Sequence, residues 1–276
     1  MIKTFEELKK RHYQQGNQRR RIAAVCAHDE ATREALHRAK SFADVIDIED
    51  DRPEQAAAKA VALVRQGKAD VLMKGLIGTD QLLRAVLNKE DGLLPAGHVL
   101  THLAVAEIPA YEKLLFFTDA AVIPYPTHEQ RIEQMRYAAR ICHQLGIGEP
   151  RIALLHCAEH GGKQFPFVDG YADIKQRSEN GEFGPCIVDG PMDVKCACSL
   201  KALQAKGLVS PIGGEADVLV LPDIEAGNTF YKTLTLFAGA RTAGILCGTS
   251  APVIVPSRGD SAEDKFNSIL LAISAI

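Results

Sequence analysis

The chain has 276 residues, 46% hydrophobic and 24% charged, so it can bury a sizeable core and disorder is disfavoured. Its 32 Lys and Arg against 35 Asp and Glu give a formal net charge of −3, which argues against a general nucleic-acid or membrane-surface binder. Seven cysteines without a CxxC pair and a polar N-terminus without an apolar signal core predict free thiols, a cytoplasmic location and no membrane partner.

Short apolar runs alternate with longer segments of 3.6-residue period along the whole chain. A T-x-x-E capping box, Thr4 and Glu7, opens the first helix. Strands are predicted at 21–27, 44–48, 69–75, 114–118, 151–156, 185–188, 217–221, 243–247 and 252–255, and further helices at 29–40, 52–68, 79–89, 127–145, 194–206, 227–238 and 261–275. This alternation predicts parallel β-α-β units in sheets covered on both faces, with loops at 91–102 and 156–171.

Polar side chains directly follow five of the predicted strands. In open parallel sheets, ligands bind beyond the carboxyl ends of the strands. The candidates are Lys74, Gly75 and Thr79 after the third strand, Thr118 and Asp119 after LLFF, Asp189, Gly190 and Pro191 after 185–188, Pro222, Asp223 and Glu225 after 217–221, and Ser257 and Arg258 after 252–255. These residues define the predicted site.

The segment MKGLIGT places a lysine and two glycines at a strand-to-helix turn. A helix N-terminus approached closely by backbone suits an anionic oxygen, and Lys74 adds a point charge. The segment is not G-x-x-x-x-G-K-[ST], so a nucleoside triphosphatase loop is not supported. Turn glycines beside a solvated lysine remain the structural alternative.

The turn at 257–264 has a partly structural explanation. Ser261 and Asp264 satisfy S-x-x-D, an arrangement that caps the last helix. Neither Ser257 nor Arg258 is needed for that cap, so both point to function. Because His102, His128, His156 and His160 share no ligand spacing with carboxylates on one helix face, no metal site is predicted. No local base accompanies a cysteine, so no thiol nucleophile is predicted either.

Five segments occur in one order between residues 69 and 265: ADVLMKGLIGT, TDAAV, VDGPMDVK, ADVLVLPDIEAGNTFYK and PVIVPSRGDSAEDK. Together they resemble the phosphate acetyl/butyryltransferase family, and more closely its shorter butyryl branch. The resemblance implies reversible transfer of a short-chain acyl group, butyryl or similar, between coenzyme A and inorganic phosphate. Coenzyme A is then a substrate, acyl phosphate a reactant, and no cofactor is bound permanently.

The resemblance also implies an α/β fold with two α/β domains of the isocitrate/isopropylmalate-dehydrogenase-like type, an interdomain cleft, and a homodimer or larger homo-oligomer. The first domain is expected at 1–112 plus 246–276, and the second at 113–245.

By the same resemblance, Asp264 matches the family's catalytic carboxylate, the base that takes the thiol proton, and Ser257 and Arg258 match its Ser-Arg pair, suited to stabilise developing charge. The expected substrate-binding residues are Lys74, Gly75, Thr79, Asp119, Asp189, Gly190, Pro191, Asn228 and Lys232.

The chain also departs from the family pattern. Ile123 and Pro124 stand where many relatives carry Asn, and Lys195 stands where the acetyl branch carries a carboxylate. These departures leave open an alternative function, an acyl-coenzyme-A-binding protein of the same fold with weak or lost transferase activity. A nicotinamide dehydrogenase is disfavoured because no G-x-G-x-x-G follows a strand.

Overall fold

The computed structural model describes residues 2–14 and 19–276, which form ten strands and ten α-helices. The strands are β1 (Arg20–Val25), β2 (Ala43–Ile48), β3 (Val71–Lys74), β4 (Thr101–Glu107), β5 (Leu115–Thr118), β6 (Arg151–Leu155), β7 (Ile187–Met192), β8 (Val218–Val220), β9 (Arg241–Cys247) and β10 (Val253–Ile254). The helices are α1 (Phe5–Gln14), α2 (Glu30–Ala39), α3 (Pro53–Arg65), α4 (Thr79–Val86), α5 (His128–Gln144), α6 (Tyr171–Glu179), α7 (Val194–Cys198), α8 (Leu200–Ala205), α9 (Ile224–Phe237) and α10 (Ala262–Ser274). Within the described ranges, none of these helices combines the length and apolar character that a bilayer crossing needs.

The chain divides into two compact units. The split unit consists of Thr4–Leu100 and Arg241–Ile276, and the central unit consists of Thr101–Ala240 with Ile2 and Lys3. The domain boundaries expected from the sequence, 112/113 and 245/246, stay a prediction. The division into compact units does not test whether either part is an independently folding domain.

In the split unit, the strands follow the order β2-β1-β3-β10-β9. Four of these strands are parallel, and β9 runs antiparallel to β10. The pairing of β10 with β3 matches Val253 with Leu72 and Ile254 with Met73. Because parallel strands end at the same edge, the residues after β3 and those after β10 lie on one side of this sheet.

The last helix is part of the core of the split unit. Residues Lys265–Ile273 of α10 are all buried, as expected for a helix that packs on several sides. It packs against β9, α2 and α1. Phe266 meets the edge of Phe42 with ring centroids 6.0 Å apart, and the Arg38 guanidinium lies 4.0 Å over the Phe266 ring. The first turn of α10, which carries Asp264, therefore leads into a helix that is packed on several sides.

In the central unit, the strands follow the order β4-β5-β8-β6-β7. All neighbours are parallel except β4, which runs antiparallel to β5. The core includes Phe117 on β5, whose ring meets Phe230 of α9 edge-on with centroids 5.2 Å apart.

The prediction of parallel units throughout is wrong in two places. The links β4 to β5 and β9 to β10 are too short to contain a crossover helix, so each pair is antiparallel. Strand β4 lies partly inside the predicted loop 91–102 and was missed, because its apolar run was not separated from that loop.

Three further expectations are corrected. The predicted loop 156–171 ends in a 3₁₀ turn at Pro166–Gly170 that leads into α6, which was also missed. The predicted helix 194–206 breaks at Ser199, whose extended backbone caps α8. Strand β7 continues to Met192, so Asp189, Gly190 and Pro191 lie within the strand rather than after it.

Candidate active site

The turn after β10 presents a hydroxyl and a guanidinium to solvent. Ser257 and Arg258 are both exposed. The turn is closed in both directions: the Ser257 N–H donates to Asp260 Oδ2 at 2.7 Å, and the Asp260 N–H donates to the Ser257 carbonyl at 3.2 Å. The backbone is thus held while both side chains stay available to a ligand.

Asp264 both caps α10 and ties it to β9. Its Oδ2 accepts from the Ser261 hydroxyl at 2.6 Å, and its own N–H donates to Ser261 Oγ at 3.1 Å, which completes the predicted cap. Its Oδ1 accepts from the Thr242 N–H at 2.7 Å and from the Thr242 hydroxyl at 3.1 Å. The prediction that Asp264 caps α10 is therefore confirmed. The bonds from Thr242 also attach this turn to β9, which the sequence did not reveal.

Lys74 is buried at the end of β3, with 3% of its surface exposed. Its Nζ donates to the carbonyl of Gly75 at 3.0 Å, and it makes no ion pair with any carboxylate in the described part of the chain. Burial, followed by the charges of Arg258 and Lys265, lowers the pKa of this ammonium. The alternative of a solvated lysine is wrong.

Gly75 has a packing reason of its own. A Cβ at this position would lie 2.3 Å from the carbonyl oxygen of Cys26 and 2.7 Å from the Cα of Ala27. The Gly75 N–H donates to the Val25 carbonyl at 2.8 Å. Only glycine fits where the turn after β3 crosses the end of β1, whether or not a ligand is present. Thr79 is the exposed first residue of α4.

A partly buried ion pair between α10 and the N-cap of α2 was not predicted. Lys265, 4% exposed, donates from Nζ to Asp29 Oδ1 at 2.7 Å and to Thr32 Oγ1 at 2.9 Å. Asp29 is the N-cap of α2, so the pair joins the first turns of α10 and α2. The sequence signals only that Asp29 precedes a helix, because a contact between residues so far apart in the chain has no local pattern.

In the central unit, Asp119 is buried directly after β5. Its carboxylate accepts from the Thr101 hydroxyl at 2.7 Å and from four backbone N–H groups, those of His102, Ala121, Val122 and Ile123. These bonds explain its burial without any ligand, so its expected substrate contact stays a prediction. Ile123 is itself buried, and Lys195 is exposed on α7.

The other expected residues of the central unit lie on β7 and α9. Asp189 accepts from Lys175 at 2.8 Å and from the Ser210 hydroxyl at 2.7 Å, while Gly190 and Pro191 line an open cavity of about 510 Å³. Asn228 donates to the Ala120 carbonyl at 3.3 Å, and Lys232 is exposed beside Tyr231. Their contacts with substrate stay predictions.

Arg131 of α5 is a second residue that was missed. It is 3% exposed, and it donates to the carbonyls of Leu221 at 3.2 Å and Pro222 at 2.6 Å. Its guanidinium lies 4.9 Å over the Phe167 ring. Arg131 thus holds the loop after β8, and within the predicted helix 127–145 it looked like one more polar residue.

One group of possible metal ligands occurs among the described residues: Glu159, Asp193 and Cys196. The Lys206 ammonium donates to Glu159 and, at 2.8 Å, to Asp193, so a side-chain cation already compensates both carboxylates. Burial raises the pKa of the Cys196 thiol, which disfavours the thiolate that a metal requires. None of the seven cysteines forms a disulfide, as predicted, and Cys157 is exposed.

The comparisons with known proteins agree with these features. A family model described as phosphate acetyl/butaryl transferase matches residues 5–273. A phosphate butyryltransferase from Clostridium acetobutylicum is 40% identical over 245 residues, which cover 89% of this chain and 81% of that protein. The chain belongs to the phosphate acetyl/butyryltransferase family, as the resemblance of its motifs predicted.

Solved structures confirm the predicted fold class. A branched-chain phosphotransacylase from Enterococcus faecalis V583 matches with a TM-score of 0.81 at 30% identity, covering 93% of this chain and 98% of that one. A beta-decarboxylating dehydrogenase from Thermococcus kodakarensis matches with a TM-score of 0.53 at 10% identity over 92% of this chain and 82% of that one, a likeness of fold alone.

The Asp29–Lys265 pair predicts a specific acid dependence of stability. Burial acts to raise the pKa of Asp29, but the bonds from Lys265 and Thr32 outweigh it and lower the pKa from 3.8 to about 2. Stability from this group is therefore complete above pH 3.8 and is lost as the pH falls towards 2, a change of about 2 kcal/mol. Urea unfolding from pH 5 to pH 2 should show a shallower acid loss in Asp29→Asn than in the wild type. Parallel curves for the two proteins would contradict this assignment.

Proposed function

We propose that the chain is a phosphate acyltransferase that moves a short-chain acyl group, butyryl or similar, reversibly between coenzyme A and inorganic phosphate. The observation that carries the proposal is Lys74, a buried ammonium without a bonded carboxylate, at the end of the strand whose parallel neighbour β10 leads into the Arg258 turn. Two cations held near each other at the end of a parallel sheet suit a phosphate oxygen. The names of the relatives supply the acyl group, and the family resemblance supplies the thiol of coenzyme A.

In the proposed reaction, Asp264 accepts the thiol proton of coenzyme A as the sulfur attacks the carbonyl carbon of acyl phosphate. The carbonyl oxygen gains negative charge in the tetrahedral intermediate. The bond from carbon to the phosphate oxygen then breaks, which leaves acyl-coenzyme A and phosphate, and the proton passes from Asp264 to the phosphate. A thiol is only a few per cent ionised near neutral pH, so a base at the sulfur contributes roughly 10²–10⁴ in rate.

The bonds of Asp264 are compatible with this role. Thr242 and Ser261 donate four hydrogen bonds to its two oxygens and orient the carboxylate, so Asp264 accepts the thiol proton by giving up one of them, of which the Ser261 N–H bond at 3.4 Å is the longest. Arg258 and the Ser257 hydroxyl are exposed donors on the same short turn, suited to the carbonyl oxygen or to the departing phosphate. Lys74 then binds phosphate or the pyrophosphate of coenzyme A, and Thr79 is a further candidate contact.

We further propose that Asp119, Asp189, Gly190, Pro191, Asn228 and Lys232 contact substrate from the central unit, and that coenzyme A is a substrate without any permanently bound cofactor. The enzyme is expected to be cytoplasmic, in line with its free thiols, and to act as a homodimer or larger homo-oligomer.

Turnover is the direct test of the proposed activity. Purified protein should consume acetyl-, propionyl-, butyryl- or branched acyl-coenzyme A only when phosphate is present, and acyl phosphate should be trapped as its hydroxamate. Hydroxamate detection avoids the background of the exposed Cys157 thiol in dye assays. Binding of acyl-coenzyme A without turnover would instead favour a binding protein with lost transferase activity.

Lys74→Met should raise the KM for one anionic substrate roughly tenfold or more, because a charge-assisted hydrogen bond is worth about 1.5–3 kcal/mol. Steady-state kinetics with phosphate and acyl-coenzyme A varied in turn would show which substrate it binds. The exposed Lys68, just before β3, gives the control: Lys68→Met should leave both KM values unchanged. If Lys74→Met also leaves both unchanged, Lys74 is not part of the site.

Asp264→Asn separates catalysis from capping. Asn keeps the size and part of the capping capacity, so the loss of stability should be about 1 kcal/mol, whereas the rate should fall by roughly 10²–10⁴. Ser261→Ala removes the cap hydroxyl and one of the bonds that orient the carboxylate, so it should lower stability by a similar amount and lower the rate far less than Asp264→Asn does. Thermal unfolding and kcat are measured for both variants. Equal, modest losses of rate in the two would make Asp264 a capping residue only.

A further inference from the structure

Two buried lysines lie close to a single partly buried carboxylate, Asp29, in the split unit. Lys74 and Lys265 are 3% and 4% exposed. Lys265 takes the carboxylate: its Nζ lies 2.7 Å from Asp29 Oδ1, while the Nζ of Lys74 donates to the Gly75 carbonyl. Lys265 therefore contacts the carboxylate directly, and Lys74 does not.

The bonds at Asp29 hold this division in place. Its Oδ1 also accepts from the Thr32 N–H and from the Thr32 hydroxyl, each at 2.9 Å, and that hydroxyl oxygen in turn accepts from Lys265 at 2.9 Å. Lys265, Asp29 and Thr32 thus form a closed set of hydrogen bonds, in which Asp29 is fixed towards α10.

The charges around Lys74 show what this set achieves. The groups whose charges act on Lys74 are Arg258 and Lys265, which are cations, and Asp29 and Asp260, which are carboxylates. With Lys74 itself, three cations face two carboxylates, so the cluster has one net positive charge. If Lys265 were neutral, the cluster would have none, and Asp29 would act on Lys74 without compensation.

We propose that Lys265 is a positioning residue of the anion site: by binding Asp29, it keeps that carboxylate from neutralising Lys74 and so reserves Lys74 for inorganic phosphate. Phosphate is favoured over the pyrophosphate of coenzyme A because Lys74 is almost completely buried and a small tetrahedral anion needs the least room. This inference rests on the proposed function for the identity of the substrate, but not for the arrangement of charges.

A purely structural role for the pair makes a different prediction. If Lys265 and Asp29 only join α10 to α2, neutralising either partner should weaken the site in the same direction. If Lys265 acts by compensating Asp29, the two single variants should change phosphate affinity in opposite directions. The double variant should then bind phosphate about as tightly as the wild type. Asn at position 29 can still cap α2 and accept from Lys265, so Asp29→Asn changes mainly the charge.

The experiment is titration of inorganic phosphate into the whole protein by calorimetry, in a phosphate-free buffer, with the phosphate KM measured alongside. Lys265→Met should weaken phosphate binding roughly tenfold, because one buried charge near the anion is lost. Asp29→Asn should bind phosphate measurably more tightly than the wild type, and Lys265→Met with Asp29→Asn should return to within about threefold of the wild type. The KM for acyl-coenzyme A should change much less than the phosphate KM.

The matched control is Lys113→Met in the central unit. Lys113 and Asp217 form a partly buried Lys–Asp pair at 2.6 Å, so this variant loses a comparable ion pair away from the site. It should lower the unfolding temperature and leave phosphate affinity unchanged. Should Lys265→Met fail to fold, Asp29→Asn alone decides, since tighter phosphate binding supports the proposal and equal or weaker binding overturns it.

Other outcomes also overturn the inference. Lys265→Met with unchanged phosphate affinity, or both single variants weakened equally, would make the pair a structural bridge. A wild-type protein that binds no phosphate would overturn it as well. If the variants change phosphate affinity as expected but the protein transfers no acyl group, the proposed function is contradicted. The proposed role of Lys265 would still be supported.

Discussion

The parallel pairing of β10 with β3 is the constraint on which the candidate site depends. It matches Val253 with Leu72 and Ile254 with Met73, so the residues that follow these two strands meet at one edge. Lys74 is the last residue of β3, from the first third of the chain, and the Ser257–Asp260 turn follows β10, near the end of the chain. A pairing of only two residues is enough, because both strands are buried, each has a longer strand on its other side, and α10 packs against β10.

The second requirement is that Asp29 pairs with only one of the two buried lysines. A buried ammonium is costly unless it is paired, and the split unit contains two within interaction range of one another. Pairing Lys265 with Asp29 stabilises the junction of α10 and α2, while Lys74 is left with a carbonyl alone. The fold thus carries one uncompensated cation close to an exposed arginine, an arrangement that an anionic substrate would complete.

Asp264 shows how one residue can carry two roles without conflict. Its bonds to Ser261 and Thr242 hold the first turn of α10 against β9. The same bonds fix the direction of the carboxylate, and a base must be fixed in direction to act on a thiol efficiently. Capping and catalysis therefore require the same geometry, which is why the S-x-x-D pattern by itself could not separate them.

The sequence by itself determined the α/β class, most helices and strands, the cap of α10 and the family, because these depend on local periodicity and on short motifs that keep their order. It also singled out Lys74, Ser257 and Arg258 as residues at strand ends. Only the tertiary structure decided that Lys74 is buried, that β4 and β9 have antiparallel neighbours, and that Lys265 binds Asp29. Burial and ion pairing depend on which distant segments meet, and that information is held in long-range packing rather than in any local pattern of residues.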